Sequence, residues 1–246
     1  MSKMHRMPKT DADHVKTDNS NLDHPINVLL IPDGNRRAAK RTNRGFEEIY
    51  RLAARIAHES VLYFFSKPFI RTYAIFGLSY DNLARNTEDV KPILQAQQEL
   101  YKDLTRSHVY SKKGIRVSFV GELDKTPVEY QEAARKLERE TVSGNKQFYA
   151  LIGYDGQREI LRAHERLRHS RKTATSEQDF FGFLDIKHPI DLVIRTGGEK
   201  RISGAPLFQS KYAEFVVLEQ YFPFCREDDW AKSLNEFNNR ETRHGK

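Results

Sequence analysis

Six short apolar runs punctuate the chain: INVLLIP (26–32), RTYAIFGLS (71–79), IRVSFVG (115–121), QFYALIGY (147–154), DLVIRTG (191–197) and FVVLEQ (215–220). Each is close to continuous in apolar character, the pattern of strands buried on both faces of a parallel sheet. Between them the apolar spacing changes to three and four. Ile49, Leu52, Ala53 and Ile56 share one helical face, and Val90, Ile93, Leu94, Gln97, Leu100 and Leu104 share another. Ile160, Leu161, His164 and Leu167 mark a further helix, and Trp230, Leu234 and Phe237 the last. Thr126–Glu129 reads as a capping box with proline at the first helical position. Strands alternating with helices predict an α/β fold, a mostly parallel sheet covered by helices. Residues 1–25 are polar and aperiodic and predict a mobile tail. Residues 26–246 form the folded domain, with a loop-rich insertion at 168–188.

Composition narrows the picture modestly. A length of 246 residues suits one α/β domain or two small ones. The single cysteine, Cys225, excludes an intrachain disulfide and zinc-finger arrangements and points to a reducing cytoplasm. Runs such as VLYFF are far too short to cross a membrane, and the N-terminus lacks a signal peptide's apolar core. A net charge of +7 favours anionic partners: nucleic acid, an acidic membrane surface or phosphorylated small molecules.

Candidate chemistry sits in three polar loops that follow apolar runs, where open parallel sheets bind ligands. The first is PDGNRR, Pro32–Arg37. Gly34 lets backbone N–H groups approach a ligand, and the helix that follows favours an anion. Asp33 would repel that anion unless a cation such as Mg2+ sat between them. Arg36 and Arg37 add positive charge. The second loop is SYDNLARN, Ser79–Asn86, and the third is RTGGEKRISG, Arg195–Gly204. In the third, Arg195 and Arg201 offer planar forks for phosphate oxygens, Ser203 a hydroxyl, and Gly197 and Gly198 close backbone approach. Two such loops suggest two phosphorylated groups. Each feature has a bland reading: Asp-Gly-Asn is a common turn, arginine clusters are commonly solvated surface, Ser79 and Asn82 can cap a helix, and Glu214 can serve as a structural partner for an arginine. The functional reading rests on their coincidence at strand ends. No P-loop, Gly-x-Gly-x-x-Gly, His-Glu-x-x-His, Gly-x-Ser-x-Gly or Asp-Asp-x-x-Asp pattern is present.

These motifs resemble the cis-prenyltransferases of the undecaprenyl diphosphate synthase type, collinearly over about residues 24–245. PDGNRR is similar to that family's Asp-Gly-Asn-Gly-Arg-Trp, FGLSYDNLARN to its Phe-Ser-x-Glu-Asn-x-x-Arg, and RHG at 243–245 to its C-terminal Arg-x-Gly. GIRVSFVGELDKTP and GYDGQREI match two middle segments, and DLVIRTGGEKRISGAPLFQSKYAEF is the most specific match. The resemblance implies a six-stranded, mainly parallel sheet and a homodimer. It also implies Mg2+-dependent condensation of isopentenyl diphosphate with an allylic diphosphate to give a cis double bond. Carried over by motif, Asp33 holds Mg2+ and the allylic diphosphate, which Gly34, Asn35 and Arg37 also bind. Arg36 adds charge there, and a further arginine is assigned to Arg44, with Arg41 its rival. Ser79, Asn82 and Arg85 flank the reacting centre. Arg195, Arg201 and Ser203 bind isopentenyl diphosphate. Glu214 is a second metal-linked carboxylate, reaching the partner's site, and Arg243 and Gly245 complete that site. Asn35, Asp33 or a diphosphate oxygen remain open as the proton acceptor. Phe148, Leu151, Ile75, Ile56 and Leu100 are expected tunnel walls or core.

The chain also departs from the family pattern. Arg36 and Ala38 replace a glycine and a tryptophan, Phe46 a histidine, Asp81 a glutamate, Leu83 an aromatic residue and Phe208 a tryptophan. Gly153 and Asp155 alter an Asn-Tyr-Gly-Gly motif, and the stretch from Asp33 to Gly45 is short. The expected product is therefore short, around C10–C20, or irregularly branched by head-to-middle coupling. The rivals are a noncatalytic prenyltransferase-like subunit and a nucleic-acid binder. The retained Asp33, Arg195 and Arg201 weigh against the first. The lack of interleaved aromatics weighs against the second, so no nucleic-acid partner is expected. Membrane contact is expected to be peripheral at most.

Overall fold

The computed structural model describes residues 25–84 and 87–239; the tail 1–24, Arg85, Arg243 and Gly245 lie outside the described residues. The six apolar runs all form strands: β1 (Ile26–Ile31), β2 (Ile70–Ser79), β3 (Ile115–Val120), β4 (Lys146–Tyr154), β5 (Leu192–Arg195) and β6 (Glu214–Val217). They make one sheet in the order β3-β4-β2-β1-β5-β6, and every neighbouring pair is parallel. All six carboxyl ends therefore lie along one edge, and β1 sits centrally beside β2 and β5. Every residue of β1 is buried, as a two-sided strand requires.

Helices cover both faces. In chain order they are α1 (Asn35–Thr42), α2 (Phe46–Phe65), α3 (Tyr80–Leu83), α4 (Thr87–Ser107), α5 (Val109–Lys112), α6 (Val128–Glu140), α7 (Gly156–Ser170), α8 (Glu177–Phe181) and α9 (Glu227–Asn238). The larger core lies on one sheet face, where Ile75, Tyr73, Phe148 and Ile152 meet Ala53, Phe64, Leu104, Tyr110 and Leu137 from the helices. A smaller core on the other face holds Leu29, Ile31, Phe76, Leu151 and Tyr154. Period-two alternation along β4 divides Phe148 from Leu151.

Two local expectations need correction. Thr126 does not cap α6: its hydroxyl donates to the Leu123 carbonyl, 2.7 Å away, closing a short 3-10 turn, and the helix starts after Pro127 without a side-chain cap. In α7, Leu161 and His164 face solvent, while Gly156, Glu159 and Ala163 are buried. Glu159 can occupy that core position because its carboxylate is satisfied. Gln209 Nε2 (2.9 Å) and the Asp185 N–H (2.7 Å) donate to it, as does the Tyr154 hydroxyl. The 168–188 stretch is loop-rich as expected, and holds the end of α7 and the short α8 with its capping box at Ser176 and Asp179.

Candidate active site

The carboxyl ends of β1 and β5 meet through Asp33. Its N–H donates to Thr196 Oγ1 and its carbonyl accepts from the same hydroxyl, both at 2.8 Å, so the two loops are tied by one side chain. The Asp33 carboxylate lies between two guanidiniums. Arg195 Nη2 donates to Oδ2 at 2.7 Å, and Arg37 Nη2 donates to Oδ1 at 3.2 Å. The Gly34 N–H also donates to Oδ1, at 2.6 Å. Partial burial alone would raise the Asp33 pKa. The Arg195 hydrogen bond, the Gly34 N–H and the charges of Arg195 and Arg37 outweigh it, and the carboxyl is held below its ordinary 3.8.

Arg195, the last residue of β5, is 4% exposed. Its Nη1 donates to Ser203 Oγ at 3.0 Å and to the Arg201 carbonyl, so one planar fork spans three acceptors. Arg37 also donates to the Gly197 carbonyl (2.8 Å), pairs with Glu199 (3.1 Å) and lies over the Tyr221 ring. Arg201 is exposed and pairs with Glu199 at 2.5 Å. Arg36 turns the other way, to Asp89 at the start of α4 (2.6 Å). Two glycines permit this closeness. Gly34 holds φ of 99°, and a Cβ there would stand 2.7 Å from the Tyr221 ring. Gly197 holds φ of 81°, and a Cβ there would stand 2.9 Å from Arg37.

Behind this cluster lies a cavity of about 590 Å3, within the range of small-molecule sites. Its mouth is lined by Asp33, Gly34, Asn35, Arg36, Arg37, Ser79, Asn82, Arg195, Arg201 and Ser203. Its far end is apolar, lined by Leu100, Leu104, Val117, Leu137 and Phe148, with Tyr110 hydrogen-bonded to His58 Nδ1 at 3.2 Å. Phe148 is level with Tyr73 in the sheet, six residues before Ser79. At the rise of a strand the floor is therefore about 20 Å from the mouth.

A model of the prenyltransferase family described as undecaprenyl diphosphate synthase matches residues 31–245. The chain belongs to that family. Cis-prenyltransferases are enzymes that transfer prenyl groups, and this chain is one of them. Two curated relatives carry the name tritrans,polycis-undecaprenyl-diphosphate synthase (geranylgeranyl-diphosphate specific). The one from Pyrobaculum aerophilum is 30% identical over 230 residues, covering 90% of this chain and 96% of its own. The one from Thermococcus kodakarensis is 30% identical over 232 residues, covering 90% and 87%. Two solved structures share the fold. Lavandulyl diphosphate synthase from Lavandula x intermedia, in complex with dimethylallyl diphosphate, has a TM-score of 0.80 at 24% identity, covering 90% of this chain and 98% of that one. A probable undecaprenyl diphosphate synthase from Campylobacter jejuni has a TM-score of 0.77 at 22% identity, covering 92% and 100%.

The structure of this cis-prenyltransferase brings together ten of the sequence-expected residues at the mouth and separates others. Arg44 pairs with Glu48 at 3.4 Å on the surface, and neither it nor Arg41 lines the cavity. The left-handed turn at Asn43 ends α1 and carries Arg44 outward. Ile75, Leu100 and Phe148 line the cavity, whereas Leu151 faces the other side of the sheet and Ile56 packs in the core away from it. Glu214 opens β6, level with Val28, two strands and five residues from Asp33. That places it roughly 19 Å from Asp33 in the same chain. Sequence reading missed Thr196, Glu199 and Tyr221. Thr196 had a signal, a hydroxyl directly before the glycine pair, whereas Tyr221 comes from a distant loop. The Glu219 carboxylate, against Gly198, was also missed.

Among the described residues, no three His, Cys, Asp or Glu side chains gather into a self-sufficient metal site. Mg2+ needs less: it commonly takes one or two carboxylates and completes its shell with phosphate oxygens and water. Asp33 is ionised, partly exposed and beside the phosphate-type donors, and the buried Asn35 Oδ1 has no hydrogen-bond partner. This hard-oxygen set fits Mg2+. Among the described residues, no helix is long and apolar enough to cross a membrane.

Proposed function

We propose that this prenyltransferase condenses isopentenyl diphosphate with an allylic diphosphate and forms a cis double bond. The observation that carries the reading is the Asp33–Arg37–Arg195 cluster at the mouth of a long cavity with an apolar floor. In this reading the allylic diphosphate lies against Gly34, Asn35 and Arg37, and its tail runs toward Phe148. Isopentenyl diphosphate lies against Arg195, Arg201 and Ser203. Asp33 would hold Mg2+, which supplies Lewis-acid stabilisation of the departing diphosphate. Arg37 and Arg195 stabilise the charge that grows on the leaving oxygens, Ser79 and Asn82 orient the reacting carbons, and the apolar walls keep water from the allylic cation. The isopentenyl double bond then attacks the allylic carbon, and a proton passes from the adjacent carbon to an oxygen of the departed diphosphate, with Asp33 or Asn35 as the alternative acceptors.

The cavity depth bears on product length. An extended C5 unit, four carbon–carbon bonds of roughly 1.5 Å in zigzag, covers about 5 Å. About four units fill the 20 Å between mouth and floor, which favours a product near C20. A second reading is favoured by the relatives' printed names: a geranylgeranyl primer and an undecaprenyl product, the tail leaving the cavity as it grows. The same protein would act as a cytoplasmic homodimer, with peripheral membrane contact at most.

Mass spectrometry of products tests both. Purified protein and Mg2+ are incubated with isopentenyl diphosphate and dimethylallyl, geranyl, farnesyl or geranylgeranyl diphosphate, with Asp33→Ala as control. A metal-dependent product absent from the control supports the transferase. A sole product of C50 or longer replaces the short-chain reading by the second, and a branched product in a further incubation with dimethylallyl diphosphate as the only substrate identifies irregular coupling. No product from any pair refutes the condensation.

A further inference from the structure

The Ser79–Asn82 turn is held from behind by a clamp that does not touch the cavity. Ser79, Asp81 and Asn82 line the cavity; Tyr80 between them does not. Its ring faces outward and lies under the Arg158 guanidinium, 3.8 Å from Cζ to the ring centroid. Arg158 belongs to α7, after β4. Its Nε and Nη2 donate to the two oxygens of Glu122, at 2.5 and 2.9 Å. Glu122 follows β3, its side chain is only 12% exposed, and its N–H donates to the Gly153 carbonyl at 3.2 Å. Arg162 takes a second bond to Glu122 (3.3 Å) and ties it to Asp185 (2.8 Å). Three loops from the carboxyl ends of β2, β3 and β4 thus converge on one guanidinium.

We infer that Arg158 is a positioning residue for the prenyl-transfer reaction, acting through Tyr80 to fix the Ser79–Asn82 turn against the substrates. The inference rests on the proposed function for the role of that turn. A ring stacked on a guanidinium that a bidentate carboxylate already fixes cannot swing without losing the stack, because the guanidinium is not free to follow it. Among the described residues, the side-chain cap on α3 is the Ser79 Oγ, which accepts from the Asn82 N–H at 3.1 Å. A four-residue helix has too few internal bonds to hold itself. Orientation of reacting groups is sensitive to such support: a displacement of about 1 Å can cost on the order of a hundredfold in rate.

The test uses Tyr80→Leu, Arg158→Met and the double variant in the full chain, with kcat and KM measured separately. Each single variant lowers kcat about tenfold with KM for isopentenyl diphosphate changed less than about threefold, and the double variant loses no more than either single one, as coupled residues do. Tyr80→Phe, which keeps the ring face, restores most of what Tyr80→Leu loses. Hydrogen exchange over residues 79–84 runs about fivefold faster in both single variants while the sheet is unchanged. Multiplicative losses, an unaffected kcat or unchanged exchange at 79–84 overturns the clamp. A wild-type protein that makes no product refutes the proposed function instead, and the exchange comparison then decides the clamp by itself.

Discussion

Replacing Arg195 by lysine keeps the charge and removes the fork. In the structure Arg195 Nη2 reaches Asp33, while Nη1 reaches Ser203 and the Arg201 carbonyl. A lysine ammonium on a flexible stem can keep the Asp33 pair but cannot also span the second pair of acceptors. Hydrogen bonds from a charged donor contribute about 1.5–3 kcal/mol each. Losing two, with water replacing part of the loss, leaves about 3–4 kcal/mol. At 1.4 kcal/mol per decade that is roughly a hundred- to a thousandfold in kcat/KM. On the proposed reading the loss falls on isopentenyl diphosphate, whose KM rises more than that of the allylic partner. Steady-state incorporation of labelled isopentenyl diphosphate, varied against each substrate in turn, measures the split. An Arg195→Lys enzyme within about fivefold of wild type would refute the fork as the source of phosphate recognition.

Three further outcomes follow from the same geometry. Asp33 has a depressed pKa, so its stabilising contribution is complete above the unfolded-state value and is lost as pH falls through the folded one. Wild type therefore exceeds Asp33→Asn in stability by about 1–3 kcal/mol near neutral pH, and thermal melts show the gap closing below the ordinary 3.8. Phe148→Ala opens the floor and shifts products to longer chains by mass spectrometry. Leu151→Ala, on the other sheet face, leaves the product distribution alone and costs about 2–5 kcal/mol in denaturant unfolding. If Glu214 serves the partner's site in a homodimer, Asp33→Ala and Glu214→Gln proteins are each impaired. Random exchange then restores up to about a quarter of wild-type turnover, since half the dimers carry one intact site; no recovery excludes a shared site.

The strands were legible because burial on both faces leaves a continuous apolar run, and the phosphate loops because glycine and arginine directly after such a run have few other uses. What failed did so where sequence spacing carries no spatial register. Phe148 and Leu151 look alike as bulky residues of one strand, yet their odd spacing puts them on opposite faces. Glu159 was invisible as a core residue because its burial depends on Gln209 and the Asp185 N–H, distant in the chain. Sequence spacing also does not show that parallel pairing sets Glu214 opposite Leu192, away from Asp33 of its own chain. The Arg158–Tyr80 stack joins two loops whose proximity follows only from β2 and β4 being neighbours.

The charge balance of the cavity gives a physical reason why the proposed reaction would need a divalent cation. Among the described residues its walls carry four arginines, at 36, 37, 195 and 201, against five carboxylates: Asp33, Asp81, Asp89, Asp155 and Glu199. The site is not a net cationic bowl, despite the +7 of the chain. Each arginine is also engaged with a carboxylate of the protein itself: Arg36 with Asp89, Arg37 with Asp33 and Glu199, Arg195 with Asp33, and Arg201 with Glu199. Two diphosphates, each bringing roughly two to three negative charges, must compete for those guanidiniums and add to an excess of acid. Asp33 is the pivot because it holds two of the arginines at once. Were Asp33 to face a divalent cation, Arg37 and Arg195 would be free to turn to phosphate oxygens, and the carboxylate would no longer repel them. Metal and diphosphate binding are then coupled through one side chain, each removing the electrostatic penalty on the other.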